Sequence, residues 1–174
     1  MIGRCGRAIA RGIALGALIA GITACDQGGR VLEDLRLARL KEGQSTEQEV
    51  RAVFGAPSAV QQVAGEKGLV YPLGPEGAHT LVLKIDDAGI YRGRVDLLTR
   101  DNFRRVAAGM KEADVVALLG PPGRRQPYAL KRETAWEWRF NDGAVTRLFV
   151  VMFDAGGQVV SSAVEEDPRR LGGG

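Results

Sequence analysis

Two stretches of this chain are copies of one pattern, and that repetition limits its possible folds more than any other feature. Gly43-Gln44-Ser45-Thr46-Glu47-Gln48-Glu49-Val50-Arg51-Ala52-Val53-Phe54-Gly55-Ala56-Pro57 recurs as Gly109-Met110-Lys111-Glu112-Ala113-Asp114-Val115-Val116-Ala117-Leu118-Leu119-Gly120-Pro121-Pro122. The second copy is one residue shorter near its start. The turn glycines Gly89 and Gly156 are separated by almost the same interval as Gly55 and Gly120. Two independent landmarks with nearly one spacing point to an internal duplication.

Each copy encodes a short helix with a defined start and stop. Thr46 followed three residues later by Glu49 is a capping box, in which hydroxyl and carboxylate each satisfy an orphan backbone amide. Val50, Val53 and Phe54 then fall on one helical stripe, as do Val115, Leu118 and Leu119 in the second copy. Gly55 and Gly120 serve as stops, and Pro57 and Pro121-Pro122 prevent continuation. A preceding helix is expected over about 31–40 in the first half, and over 100–107 after a Thr99 cap in the second. Branched runs at 69–73, 80–85 and 90–97, bounded by Gly, Pro and Asp, read as strands.

In the second half, 135–140 puts Trp136, Trp138 and Phe140 on one face and Glu137 and Arg139 on the other, the alternation of a half-buried strand. Asn141-Asp142-Gly143 turns the chain into 145–153, and Asp154-Ala155-Gly156-Gly157 turns it into 158–164. The expected fold is α+β: two tandem units, each a helical pair packed on about three antiparallel strands.

The first two dozen residues stand apart. Arg4, Arg7 and Arg11 are their only charges, and the twelve residues 13–24 carry none. That is the layout of a secretory signal, and the run is shorter than the roughly 20 residues a spanning helix needs. Ile22-Thr23-Ala24-Cys25 resembles the lipobox of bacterial lipoproteins, which implies cleavage between Ala24 and Cys25 and a diacylglyceryl group on the Cys25 thiol. The competing reading is a plain signal peptide whose small-residue cleavage site precedes a cysteine. The expected organisation is a signal over 1–24, a tether over 25–30, units over 31–98 and 99–167, and a flexible tail over 168–174.

Charge and cysteine counts narrow the function. The chain has 24 Lys and Arg against 21 Asp and Glu, and the three signal arginines account for the whole excess. A neutral body gives no electrostatic reason to bind nucleic acid. Of the 2 cysteines, Cys5 lies in the signal and Cys25 at the lipid site, leaving the body without a disulfide, a thiol nucleophile or a cysteine metal site. A hydrophobic content of 45% sets the chain apart from disordered sequences.

The search for chemistry finds no catalytic constellation. His79 lacks a neighbouring nucleophile motif and reads as a surface or turn histidine. Asp86-Asp87 and Glu165-Glu166-Asp167 lack the alternating spacing of a cation loop and read as solvated turns. Gly74-Pro75-Glu76-Gly77 lacks the Lys-Ser/Thr ending of a phosphate cradle. Arg104-Arg105 and Arg124-Arg125 read as solvated faces, and Trp136 and Trp138 as core. No metal and no cofactor is expected.

Gly109-Met110, Val115, Leu118-Leu119-Gly120, Pro122, Trp136-Glu137-Trp138, Phe153-Asp154 and Gly156 together resemble the SmpA/OmlA (BamE-like) family of outer-membrane assembly lipoproteins. Ser45-Thr46, Val50, Phe54-Gly55 and Pro57 look like a more diverged copy, and the two copies span nearly all of the chain after Cys25. The sequence departs from the single-domain family pattern by having two units, and Lys111 stands where the family often has threonine. The tandem arrangement is also similar to that of a secreted β-lactamase inhibitor protein.

The family resemblance implies a non-enzymatic, periplasm-facing binding or scaffold protein in envelope biogenesis. It would be held to a membrane by its lipid, with the β-barrel assembly machinery as protein partner. The inhibitor-like likeness implies instead a regulator that grips a periplasmic enzyme. The outer membrane is the expected location, although Asp26 after the lipidated cysteine resembles an inner-membrane retention signal.

Overall fold

The computed structural model describes residues 28–63, 65–73 and 77–170. Ala24 and Cys25, with the expected signal and most of the tether, lie outside the described residues, as do 74–76 of the Gly74-Gly77 loop. The elements run α1 (Gly28–Leu37), α2 (Glu47–Phe54), β1 (Ala59–Val63), β2 (Glu66–Leu73), β3 (His79–Ile85) and β4 (Tyr91–Asp96). The same order repeats as α3 (Arg100–Arg105), α4 (Glu112–Leu119), β5 (Arg124–Tyr128), β6 (Glu133–Asp142), β7 (Val145–Phe153) and β8 (Val159–Glu166). The fold is α+β, with two antiparallel sheets ordered β1-β2-β3-β4 and β5-β6-β7-β8. Each sheet has four strands where the sequence pattern gave about three, because β1 and β5 are short edge strands without a clear apolar signature.

The two halves are built by the same local bonds. Gly43 N donates to Tyr91 O (2.8 Å), Tyr91 N to Ser45 O (2.8 Å) and Glu47 N to Gly89 O (2.9 Å). The counterparts are Gly109 N to Val159 O (2.9 Å), Val159 N to Met110 O (2.8 Å) and Glu112 N to Gly157 O (3.1 Å). Each set clips the elbow between two helices onto the start of the last strand, and matching bridges join Thr46 to Ile90 and Lys111 to Gln158. The turn before that strand is held by Asp86 Oδ1, accepting from Ile90 N (2.8 Å), and by Asp154 Oδ1, accepting from Gln158 N (3.0 Å). The left-handed turn glycines are Gly89 (φ 77°) and Gly157 (φ 72°), so Gly157 and not Gly156 is the true counterpart of Gly89.

The helix starts and stops follow from the caps. Thr46 N donates to Glu49 Oε2 (2.7 Å) and Glu49 N to Thr46 Oγ1 (3.3 Å), a complete capping box. Lys111 has no acceptor atom, so α4 keeps only the returning half, with Lys111 N donating to Asp114 Oδ2 (3.0 Å). Thr99 caps α3 through Asn102 N, and that helix ends at Arg105. Gly55 and Gly120 end α2 and α4 in one conformation, with φ 84° and 77°.

Packing fixes which sheet face each helical pair covers. Leu37, Leu40, Val50, Leu69, Tyr71, Leu81, Leu83, Ile85 and Tyr91 form the first core. Glu47 anchors α2 to β2 through Lys67 Nζ (2.6 Å), and the Lys67 and Arg51 hydrogen bonds hold its carboxyl below the usual range against the opposing effect of burial. The second core surrounds Phe103, Val115, Leu119, Trp136, Trp138, Phe140, Phe149, Val151 and Phe153. Trp136, Trp138 and Phe140 are buried there, as their alternation required. Pro168–Arg170, expected in the tail, forms a 3-10 turn.

The half-built cap on α4 gives a direct test of this local equivalence. Lys111→Thr supplies the missing acceptor and should raise stability in urea titration by about 0.5–1 kcal/mol, while Thr46→Ala should lower it by about 1 kcal/mol. A destabilised Lys111→Thr would show that the two elbows are not equivalent.

Candidate functional site

The two halves meet where the second helical pair reaches the free face of the first sheet. Val70 and Val82 are fully buried although they point away from α1 and α2, and with Leu97 they form a separate cluster. The C-terminal end of α4 lies against this cluster: a Cβ built on Gly120 would stand 2.6 Å from Thr80 Cγ2 and 3.6 Å from Val70 Cγ1. Gln61 Nε2 donates to Ala117 O (3.1 Å), tying β1 to the same helix. On its other side α4 is held by Trp138, whose Nε1 donates to Gly120 O (3.1 Å).

His79 belongs to this joint, which corrects its reading as a surface or turn residue. It is the first residue of β3 and its side chain is 22% exposed. Nδ1 lies 2.8 Å from Asp96 Oδ2 on β4, and Nε2 lies 2.8 Å from Asn141 Nδ2 on β6. An amide nitrogen only donates, so Nε2 accepts and the ring proton sits on Nδ1, donated to Asp96. Asp96 Oδ1 in turn accepts from Thr80 N (3.2 Å) and Leu98 N (2.9 Å). Asn141 Oδ1 accepts from Thr146 Oγ1 (3.3 Å). The histidine has the orienting acid that a general base needs, but its second nitrogen is occupied by an amide and not by a nucleophile. In this arrangement it acts as a clasp between the halves.

Glu33 of α1 adds a strained charge beside the clasp. Its Oε2 is buried and has no hydrogen-bond partner among the described residues. Burial pushes its carboxyl up, the Asp34 and Asp96 carboxylates add to the shift, and the Arg94 guanidinium opposes it.

Beside the clasp an open groove of about 590 Å³ separates the first sheet from α3 and α4. Val63, Val95 and Leu97 face Met110 and Leu118 across it, and Gln62, Asp101, Arg105 and Asp114 supply polar edges. This mixed lining, to which Asp96, Thr99 and Asn102 also contribute, suits a peptide segment that carries both apolar and polar side chains.

The other residues singled out in the sequence have local roles. Asp86 holds its turn and pairs with Arg92 (2.7 Å), and the Ile90 amide and that guanidinium keep its carboxyl low. Asp167 is not a solvated turn residue: it is buried and accepts from Arg139 Nε (2.7 Å) and Nη2 (3.2 Å). Arg104 pairs with Asp101, Arg105 with Asn102, and Arg125 lies 4.3 Å over the Trp136 ring. Asn141 and Asp142 end β6 instead of forming its turn, and Asp142 binds Arg100. Among the described residues no group of three His, Cys, Asp or Glu stands together in a way that would hold a metal.

No known family model matches this sequence. No curated protein sequence matches it either. Among solved structures, the chain is similar to a candidate osmotically inducible lipoprotein, OsmE, at 23% identity and a TM-score of 0.36, over 41% of this chain and 76% of that one. It is similar to a candidate beta-lactamase inhibitor protein from Streptococcus mutans at 11% identity and a TM-score of 0.34, over 80% and 98%. It is also similar to the DUF4309 family protein YjgB from Bacillus subtilis subsp. subtilis at 12% identity and a TM-score of 0.28, over 79% and 97%.

Glu33 supplies the prediction for the joint. A carboxyl raised in the folded state contributes stability at low pH that is lost as pH rises through its folded value. Glu33→Gln should therefore melt higher than the parent at neutral pH, and the difference should shrink on acidification. A gain independent of pH would show that charge at Glu33 is not the strained element.

Proposed function

We propose that this chain is a lipoprotein of the bacterial cell envelope, cut between Ala24 and Cys25, acylated on Cys25 and facing the periplasm. Its body works by binding a protein partner and not by catalysis. The observation that carries this reading is Ile22-Thr23-Ala24-Cys25 directly after an uncharged apolar run with arginines before it. A twelve-residue run suits an export signal, and among the described residues no helix is long and apolar enough to cross a membrane.

The binding role is supported by the amphipathic groove between the halves and by the use of His79 as a clasp. We assign residues 1–24 to the signal; the tether expected over 25–30 runs into α1, which begins at Gly28, so the first unit starts there and runs to 98, and the second spans 99–167. The lipid would hold the groove within reach of membrane-bound partners, raising their effective concentration without a new contact. Within this class we favour an accessory role in envelope biogenesis, with the β-barrel assembly machinery as partner and the outer membrane as location. The second reading, a regulator gripping a periplasmic enzyme, rests on the same groove and differs in its occupant.

Fractionation tests the anchor. Wild-type protein should sediment with membranes, and Cys25→Ser should move to the soluble periplasm; a Cys25→Ser protein still in the membrane fraction would refute the lipid tether. Asp26→Ser in the same experiment shows whether that residue sorts the protein between membranes. Affinity capture from solubilised membranes then separates the two binding roles. Assembly-machine subunits support the first, and a single soluble hydrolase supports the second.

A further inference from the structure

We propose that α1 is the surface by which the body rests on the bilayer, with Leu32 and Leu35 entering the lipid interface; this builds on the acylation of Cys25. The helix carries two stripes. Leu37, and Leu40 just past the helix end, face the first core and are buried, whereas Leu32 and Leu35 are 59% and 60% exposed. Arg36 is also exposed and falls with Leu32 and Leu35 on one side of the helix, and the exposed Arg39 stands in the turn just after it. The acids Glu33 and Asp34 lie off this stripe, which pairs leucines with arginines as a helix in an anionic interface does, apolar groups entering the acyl boundary and guanidinium groups meeting the phosphates.

Two observations fix the occupant as lipid. The helix begins at Gly28, three residues after Cys25. An extended chain spans at most about 3.5 Å per residue, so the start of α1 is held within roughly 10 Å of the acylated residue, inside the headgroup layer. The second observation is internal to the duplication. The counterpart helix α3 exposes Asp101, Arg104 and Arg105, and none of the large exposed apolar side chains lies on it. The apolar outer stripe therefore belongs only to the copy nearest the anchor. Leu130, fully exposed at the β5–β6 hairpin near Tyr128, is the most exposed rival apolar side chain among the described residues, and in sequence it stands far from Cys25.

The mature chain has no thiol besides the acylated Cys25, so a single introduced cysteine labels one site. Lipidated Arg39→Cys and, as control, Arg104→Cys carry a fluorophore in phosphatidylethanolamine–phosphatidylglycerol vesicles containing a quencher lipid. Quenching is expected at position 39 and not at 104. Leu32→Glu with Leu35→Glu should reduce it to the level of the 104 control, whereas Leu130→Glu should leave it unchanged. Circular dichroism checks that the glutamate variants keep the fold. Protein that floats with the vesicles but shows no quenching at 39, or quenching unaffected by the glutamates, overturns the proposal and leaves the anchor standing. Energy transfer between labels that rises with protein concentration in place of quenching assigns the stripe to a second copy and also overturns it. Protein that does not float overturns the anchor and this inference together.

Discussion

The structure depends on α4 being held from both sides. Toward its own sheet, Val115 and Leu119 pack into the aromatic core, and Trp138 donates to the carbonyl of Gly120 at the helix end. Toward the first half, the same glycine lies against Thr80 and Val70. Only glycine serves there, because its φ of 77° is left-handed and an added Cβ would fall 2.6 Å from Thr80 Cγ2. One helix stop thus caps a helix, accepts from a buried indole and seats one half of the molecule on the other.

This contact explains why two similar units do not behave as beads on a string. The first sheet is covered on both faces, by its own helices and by the end of α4, and its central strands accordingly read Leu69-Val70-Tyr71 and Leu81-Val82-Leu83 without alternation. The clasp of Asp96, His79 and Asn141 adds directional bonds at the same joint, from β4 through β3 to β6. With the joint fixed, the groove between the first sheet and the second helical pair has a set shape. A set shape lets a surface recognise a partner at low entropic cost.

The features legible in the sequence were those written within a few residues. The helix caps at Thr46 and Thr99, the stops at Gly55 and Gly120, and the alternation of Trp136, Trp138 and Phe140 each need only local spacing. Edge strands β1 and β5 were not legible, since Ala59–Val63 is half polar and Arg124–Tyr128 carries two arginines and a proline. Choosing Gly156 over Gly157 failed because adjacent glycines look alike until φ is known. The partners of His79 lie 17 and 62 residues away, beyond any local pattern. One signal was present and unused: α4 reads Val115-Val116-Ala117-Leu118-Leu119, apolar beyond one stripe, whereas α2 keeps Glu47, Gln48 and Arg51 on a polar face. A helix apolar on more than one side needs more than one covering surface.

The dependence of both halves on one shared helix is tested most directly by calorimetry of the mature protein. A single transition, with calorimetric and van't Hoff enthalpies equal, is the predicted result, because losing α4 removes the floor of one half and the cover of the other. Two separate transitions, each with about half of the total enthalpy, would contradict it and show that the halves fold without each other.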